Sequence, residues 1–203
     1  MSRKGIIFLI LIAFIFFVIG ALTIASRFED GDILGFFVRI SALYGFLMMA
    51  MAVIMTPFLA EIKKVFGKPF LTVHHIFAGA GTLLATLHPV AFAIQVMDAT
   101  VFLPSFRSWI EFWALAGRPA LLLLYIALCA ALLRKRWRQW RYAHVLMYVV
   151  LLFVIVHANL IGSDFSSFWI RLIYNLAFMA VLITFMYSVL KKVRRAGIQG
   201  GAQ

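Results

Sequence analysis

Six apolar stretches, each near or above the ~20 residues that cross a bilayer at 1.5 Å rise per residue, dominate this chain. They lie at roughly 5–26, 33–60, 70–97, 112–133, 142–162 and 168–190, joined by short connections. The 203 residues are 65% hydrophobic and 13% charged. A soluble domain is about 45–50% apolar and about 25% charged, so this chain has too little polar surface to cover a globule in water. The predicted fold is all-α: a polytopic six-transmembrane-helix bundle forming one membrane domain over 1–203. The first stretch, in "MSRKGIIFLILIAFIFFVIGALTIAS", has an apolar core of about 20 residues. That exceeds the ~7–15 of a secretory signal, so it is read as a retained helix.

Charge placement sets the expected orientation. Arg3 and Lys4, Lys63, Lys64 and Lys68, the run "RKRWRQWR" from Arg134 to Arg141, and Lys191, Lys192, Arg194 and Arg195 all fall on one side, 14 of 19 basic residues. The opposite connections carry Arg27 and Arg107 beside Glu29, Asp30, Asp32, Asp98, Glu111 and Asp164. Positive charge stays inside, which predicts cytoplasmic termini and a multi-pass protein of the inner (plasma) membrane. The net charge of +12 therefore reports topology and contact with anionic lipid, and no nucleic-acid partner is expected. A lone cysteine, Cys129, excludes an intrachain disulfide and a thiolate metal cluster.

Against this background the histidines stand out. "TVHHIFAGAGTLLATLHPV" places His74, His75 and His88 in the third span, and the fifth carries His144 and His157. Imidazoles in hydrocarbon are costly without partners, so each is a functional candidate. Both spans start on the cytoplasmic side, so His74 and His144 lie shallow and His88 and His157 lie near the outer boundary. The two levels are about 20 Å apart. Two helices offering one imidazole each at two depths suit two bis-histidine haems. On an ideal helix His74 and His88 are about 40° apart, whereas His75 and His88 are about 140° apart, so His74 is the ligand candidate. His144 and His157 are also about 140° apart, which an ideal fifth helix leaves without an account. Zinc or copper would want ligands closer together, and a proton relay would want a mid-membrane carboxylate.

Other features bear on the same region. Pro89, directly after His88, frees the Ala85 carbonyl and is expected to bend the helix. Gly79 and Gly81 with Ala78, Ala80 and Ala85 form a small-residue face, for close helix packing or for a flat macrocycle. Arg39 lies some six residues into the second span, where an unpaired guanidinium is costly, and is the candidate partner of an outer haem propionate. Arg118 and Arg171, at outer helix ends, are further candidates or simply snorkel. In "VFLPSFRSWIEF", Phe102, Phe106, Trp109 and Ile110 recur at helical spacing, which predicts a short interfacial helix on the outer surface.

The pattern "HHIFAGAGTLLATLH", followed two helices later by "HVLMYVVLLFVIVH", resembles the ferric reductase-like transmembrane domain. That domain is shared by ferric-chelate reductases, NADPH oxidases and the haem-binding membrane subunit of the periplasmic methionine-sulfoxide reductase system. "EIKKVFGKPFL" before the third span and "RQWRYAH" entering the fifth extend the likeness over roughly residues 35 to 190. The resemblance implies two haem b groups, the inner on His74 and His144 and the outer on His88 and His157, with His75 at a site that need not be a ligand. No glycine-rich dinucleotide fingerprint occurs in the sequence, and Phe92 stands where the oxidases tend to carry a further histidine.

The expected function is transmembrane electron transfer as a subunit of an oxidoreductase without its own flavin domain. The donor would be a cytosolic flavin reductase or a membrane quinol. The acceptor would be an external or periplasmic protein or a ferric chelate. The alternatives are a quinone-reactive cytochrome b anchoring a dehydrogenase or hydrogenase, and a cofactor-free transporter or scaffold.

Overall fold

A computed structural model of the chain describes residues 3–27 and 32–200. Glu29 and Asp30 lie outside the described residues, as do the side chains of Arg3, Lys4, Arg27, Lys192 and Arg195. The elements are α1 (Arg3–Arg27), α2 (Ile33–Ile54), α3 (Leu59–Phe66), α4 (Phe70–Val96), α5 (Trp109–Ala114), α6 (Gly117–Leu132), α7 (Trp140–His144), α8 (Leu146–Ile161) and α9 (Phe168–Gly200), with 3-10 turns at Ala99–Phe102, Leu133–Lys135 and Ser163–Ser166. No strand occurs among the described residues.

Among the described residues five segments are long and apolar enough to cross a membrane: Ile33–Ile54, Phe70–Val96, Gly117–Lys135, Trp140–Ile161 and Phe168–Lys191. The helix α1 contributes a shorter apolar stretch, Ile12–Ala25, among the described residues. Six spans are predicted from sequence, and five meet the length and composition of a crossing here.

α2 is the axis of the bundle. Buried residues fill 56% of its most apolar window, against 17% for α4 and for the Trp140–Ile161 span. Its main partner is α4, while α6 packs on α8 and α9 packs on both α2 and α8. Two glycines bring α2 and α4 together. A Cβ at Gly45 would lie 3.0 Å from the Ala85 amide nitrogen, and one at Gly81 would lie 2.7 Å from Met49 Cγ. The small-residue face of α4 is therefore a packing surface at Gly81 and Ala85, whereas Gly79 faces open space. One core cluster joins Ile19, Phe46, Leu124, Leu151, Ile170 and Tyr174 from α1, α2, α6, α8 and α9. A second joins Ala52, Met55, Ile62, Val73 and Phe77.

Several boundaries differ from the sequence reading, each for a local reason. The second span ends at Ile54 instead of near residue 60, because Pro57 disfavours helix at Thr56. The basic stretch that follows is itself helical: α3 buries Ile62, carries Glu61 in its first turn and Lys63 and Lys64 in its last, and so complements its dipole. The predicted interfacial helix is two pieces, a 3-10 turn at Ala99–Phe102 and α5, interrupted around Pro104. Thr100 donates its hydroxyl and amide to Asp98 at 2.7 and 2.8 Å, holding that carboxyl below the usual aspartate range. Phe106, Trp109 and Ile110 are exposed on this connection.

Candidate functional site

"Outer" and "inner" below denote the ends nearer the 98–111 and the 134–141 connections. Each of the four predicted ligand histidines turns its Nδ1 onto a backbone carbonyl of a neighbouring element. His74 meets Ala52 at 3.0 Å and His88 meets Val38 at 2.9 Å, both acceptors on α2. His144 meets Ala127 of α6 at 3.3 Å, and His157 meets Ala114 of α5 at 2.6 Å. A carbonyl can only accept, so Nδ1–H is the donor and Nε2 keeps its lone pair. That arrangement prepares an imidazole to bind a metal through Nε2, with the carbonyl fixing tautomer and ring plane.

The register of these contacts is regular. His74 to His88 is 14 residues, matched by 14 from Val38 to Ala52 on the antiparallel α2. His144 to His157 is 13, matched by 13 from Ala114 to Ala127. The fifth span is not an ideal helix. It breaks at Val145 between α7 and α8, and Tyr148 N–H donates three residues back to the Val145 carbonyl at 3.0 Å. A residue in such 3-10 winding turns about 120° instead of 100°. The tight step here adds rotation between His144 and His157 and so reduces their mismatch. His75, by contrast, is exposed, with its ring 5.9 Å from that of His74.

The outer pair lines a cavity of about 460 Å³. That volume falls within the ~300–1,000 Å³ of small-molecule and cofactor sites. The packing of α4 on α2, and of α8 on α6 and α9, leaves this space between α4 and α8. Pro89 and Phe92 line one wall, Leu121 and Val154 the other, and Val101 and Leu115 of the outer connection also border it. Gly117 is part of the cradle: a Cβ there would sit 3.3 Å from His157 Nε2 and crowd the nitrogen that carries the lone pair. The donor set fits a bis-imidazole iron in a flat apolar macrocycle. Among the described residues no group of three or more His, Cys, Asp or Glu gathers as a four-coordinate metal site requires.

Arg39 and Asp164 form a largely buried polar pole in the mostly apolar wall, to which Arg118 and Ser163 also contribute. Arg39 Nε donates to both Asp164 oxygens at 3.1 Å, its Nη2 completes the ion pair, and the same Nη2 donates to the Thr23 carbonyl at 3.0 Å. The side chains are 15% and 7% exposed. This clasp joins α1, α2 and the turn before α9. Arg39 lines the cavity, and its guanidinium is engaged by Asp164. Sequence alone presents Asp164 only as a loop charge; the structure makes it the partner of Arg39. The clue available was that a guanidinium deep in a span demands an anion. Arg118 and Arg171 donate to the Leu103 and Phe165 carbonyls, each at 2.9 Å, and brace the outer turns.

The inner pair is dressed differently. Phe70 stacks on His74 at 5.5 Å and Trp140 lies 5.7 Å from His144, in each case one turn earlier on the same segment. The Arg141 guanidinium sits 5.8 Å over the Trp140 ring.

Fold and site together define a polytopic helical membrane protein that carries histidines at two levels of its bundle. Residues 41–155, more than half of the chain, match the ferric reductase like transmembrane component family, and the chain belongs to that family. The match takes in His74, His88 and His144; Arg39 and His157 lie two residues beyond its ends. Domains of this family generally bind haem, and the membership points to transmembrane electron transfer. No curated protein and no solved structure matches the chain.

Proposed function

We propose that this chain is a di-haem b-type electron-transfer subunit of the inner (plasma) membrane. In this reading α1 is the first of six crossings of a single domain, and both termini are cytoplasmic. The observation that carries it is the set of four imidazoles, each fixed by a carbonyl of an adjacent element and each left with a free Nε2. His74 and His144 hold the inner haem, His88 and His157 the outer. When bound, the haem irons supply one-electron chemistry between ferric and ferrous states.

The chain's own residues supply the rest. The four carbonyls hold the ring planes, so little reorganisation accompanies electron arrival. Phe92, Leu121 and Val154 exclude water from the outer tier. Arg39 provides the positive end of the polar pole for a propionate, its charge shared with Asp164. The basic face from Arg134 to Arg141, with the partly exposed Trp137, receives the donor, a cytosolic flavin reductase or a membrane quinol. The acceptor is a protein or ferric chelate at the outer face. With the interior negative, outward electron movement is downhill by about 2.3 kcal/mol per 100 mV.

The test is a reduced-minus-oxidised spectrum with haem stoichiometry on the purified protein. Two haems per chain with bis-histidine low-spin bands are expected. A colourless preparation, or haem content indifferent to alanine at all four histidines, rejects the reading.

A further inference from the structure

Tyr174 is the one buried side-chain polar group among the described residues whose hydroxyl has no hydrogen-bond partner. It is 1% exposed, in the second turn of α9, and lines the outer cavity. The rings of Phe46 and Phe165, each 5.5 Å away, fix its orientation. Neither neighbouring oxygen receives the proton: Tyr44 is turned away, donating its own O–H to the Phe16 carbonyl at 2.6 Å, and Asp164 is clasped by Arg39. A phenol retained at such a place needs an acceptor, and the side from which one can come is the cavity.

We infer that Tyr174 is a positioning residue of the outer tier, donating its O–H to a carboxylate of the tetrapyrrole held by His88 and His157. This rests on the haem reading above and deepens it. The strong acceptors on such a macrocycle are its carboxylates; of the other polar lining side chains, Arg118 already donates to the Leu103 carbonyl at 2.9 Å and Ser163 lies beside Asp164, while most of the wall is hydrocarbon. Tyr174 and the Arg39–Asp164 pair therefore mark the end of the cavity toward which the carboxylate edge turns. Because Asp164 already offsets Arg39, an entering carboxylate has no full counter-charge there. It depends correspondingly on a neutral donor that adds no charge of its own.

The experiment is Tyr174→Phe in the full chain purified with its haem. Resonance Raman propionate-bending bands, the midpoint potentials of the two haems and the rate of haem loss to apomyoglobin are the readouts. The expected result is a shifted propionate band, a lower outer potential and about tenfold weaker retention of the outer haem. The inner haem and the low-spin absorption should be unchanged, which separates this role from a general packing defect. A Tyr174→Phe chain indistinguishable from wild type in all three readouts overturns the inference while leaving the two-haem reading intact. Wild-type protein lacking an outer haem overturns both. Should the variant fail to accumulate, wild-type chain reconstituted with haem dimethyl ester gives the second readout. A comparable loss of outer retention supports the contact, and unchanged retention refutes it.

Discussion

The outer and inner tiers share one device, an imidazole locked on a neighbour's carbonyl, but differ in what surrounds it. The outer pair faces a cavity bordered by the 98–111 connection and polarised at one end by Arg39, Asp164 and Tyr174. The inner pair is flanked by Phe70 and Trp140 and adjoins the basic 134–141 stretch. The difference teaches that the placement of the imidazoles and the access to them are set separately. α2, α5 and α6 fix the rings at both levels, while the connections decide what reaches them. An outer site walled mostly by hydrocarbon and an inner site beside cationic, aromatic surface are the arrangement the proposed one-way conduit needs.

The largest expected effects come from cutting one tier at a time. His88→Ala or His157→Ala should remove the outer haem and leave the inner spectrum, and His74→Ala or His144→Ala should do the reverse. Each would lower stoichiometry from two to one by pyridine haemochrome assay. Loss of both haems from any single change would break the claim of independent tiers. Next is Asp164→Ala, which strands the Arg39 guanidinium in a buried setting. A cost of about 3–5 kcal/mol is expected, read as a fall in melting temperature, with partial recovery in the Arg39→Ala, Asp164→Ala double variant. Gly117→Val should crowd His157 and cost the outer tier about 1–3 kcal/mol, read as lower outer haem occupancy with the inner tier unaffected. Trp140→Leu should cost the inner tier about 0.5–1.5 kcal/mol, seen as faster loss of the inner haem alone. Smallest of all, His75→Ala should leave haem content and both potentials unaltered; a lost haem there would reassign the inner ligand.

Much of this contrast can be read in the chain itself, because hydrophobic runs and lysine or arginine placement report spans, and histidine spacing reports depth. The parts that could not be read have physical causes. The ideal wheel set His144 and His157 apart because it assumed uniform winding, and the break at Val145 violates that assumption. The acceptors at Val38, Ala52, Ala114 and Ala127 are backbone carbonyls, which every residue possesses, so side-chain identity carries no trace of them. The second span was drawn too long because Met55 and Phe58 continue its apolar run, although Pro57 limits the helix. Asp164 lies 125 positions from Arg39, and such a pairing emerges only once α2 and the turn before α9 are neighbours. Tyr174 was silent for a similar reason, since a tyrosine in an apolar helix is unremarkable until its hydroxyl is found without a mate.

The Arg39–Asp164 clasp also has a history in time. The ribosome releases the arginine 125 residues before its carboxylate, on the order of 10 s at ordinary elongation rates. Throughout that interval the nascent second helix carries a cation in lipid with no Asp164 to answer it, so the insertion machinery or a headgroup must shelter it. The outer rim of the bundle is thus latched late, which leaves a window during biogenesis for a bulky prosthetic group to slip in before the latch drops.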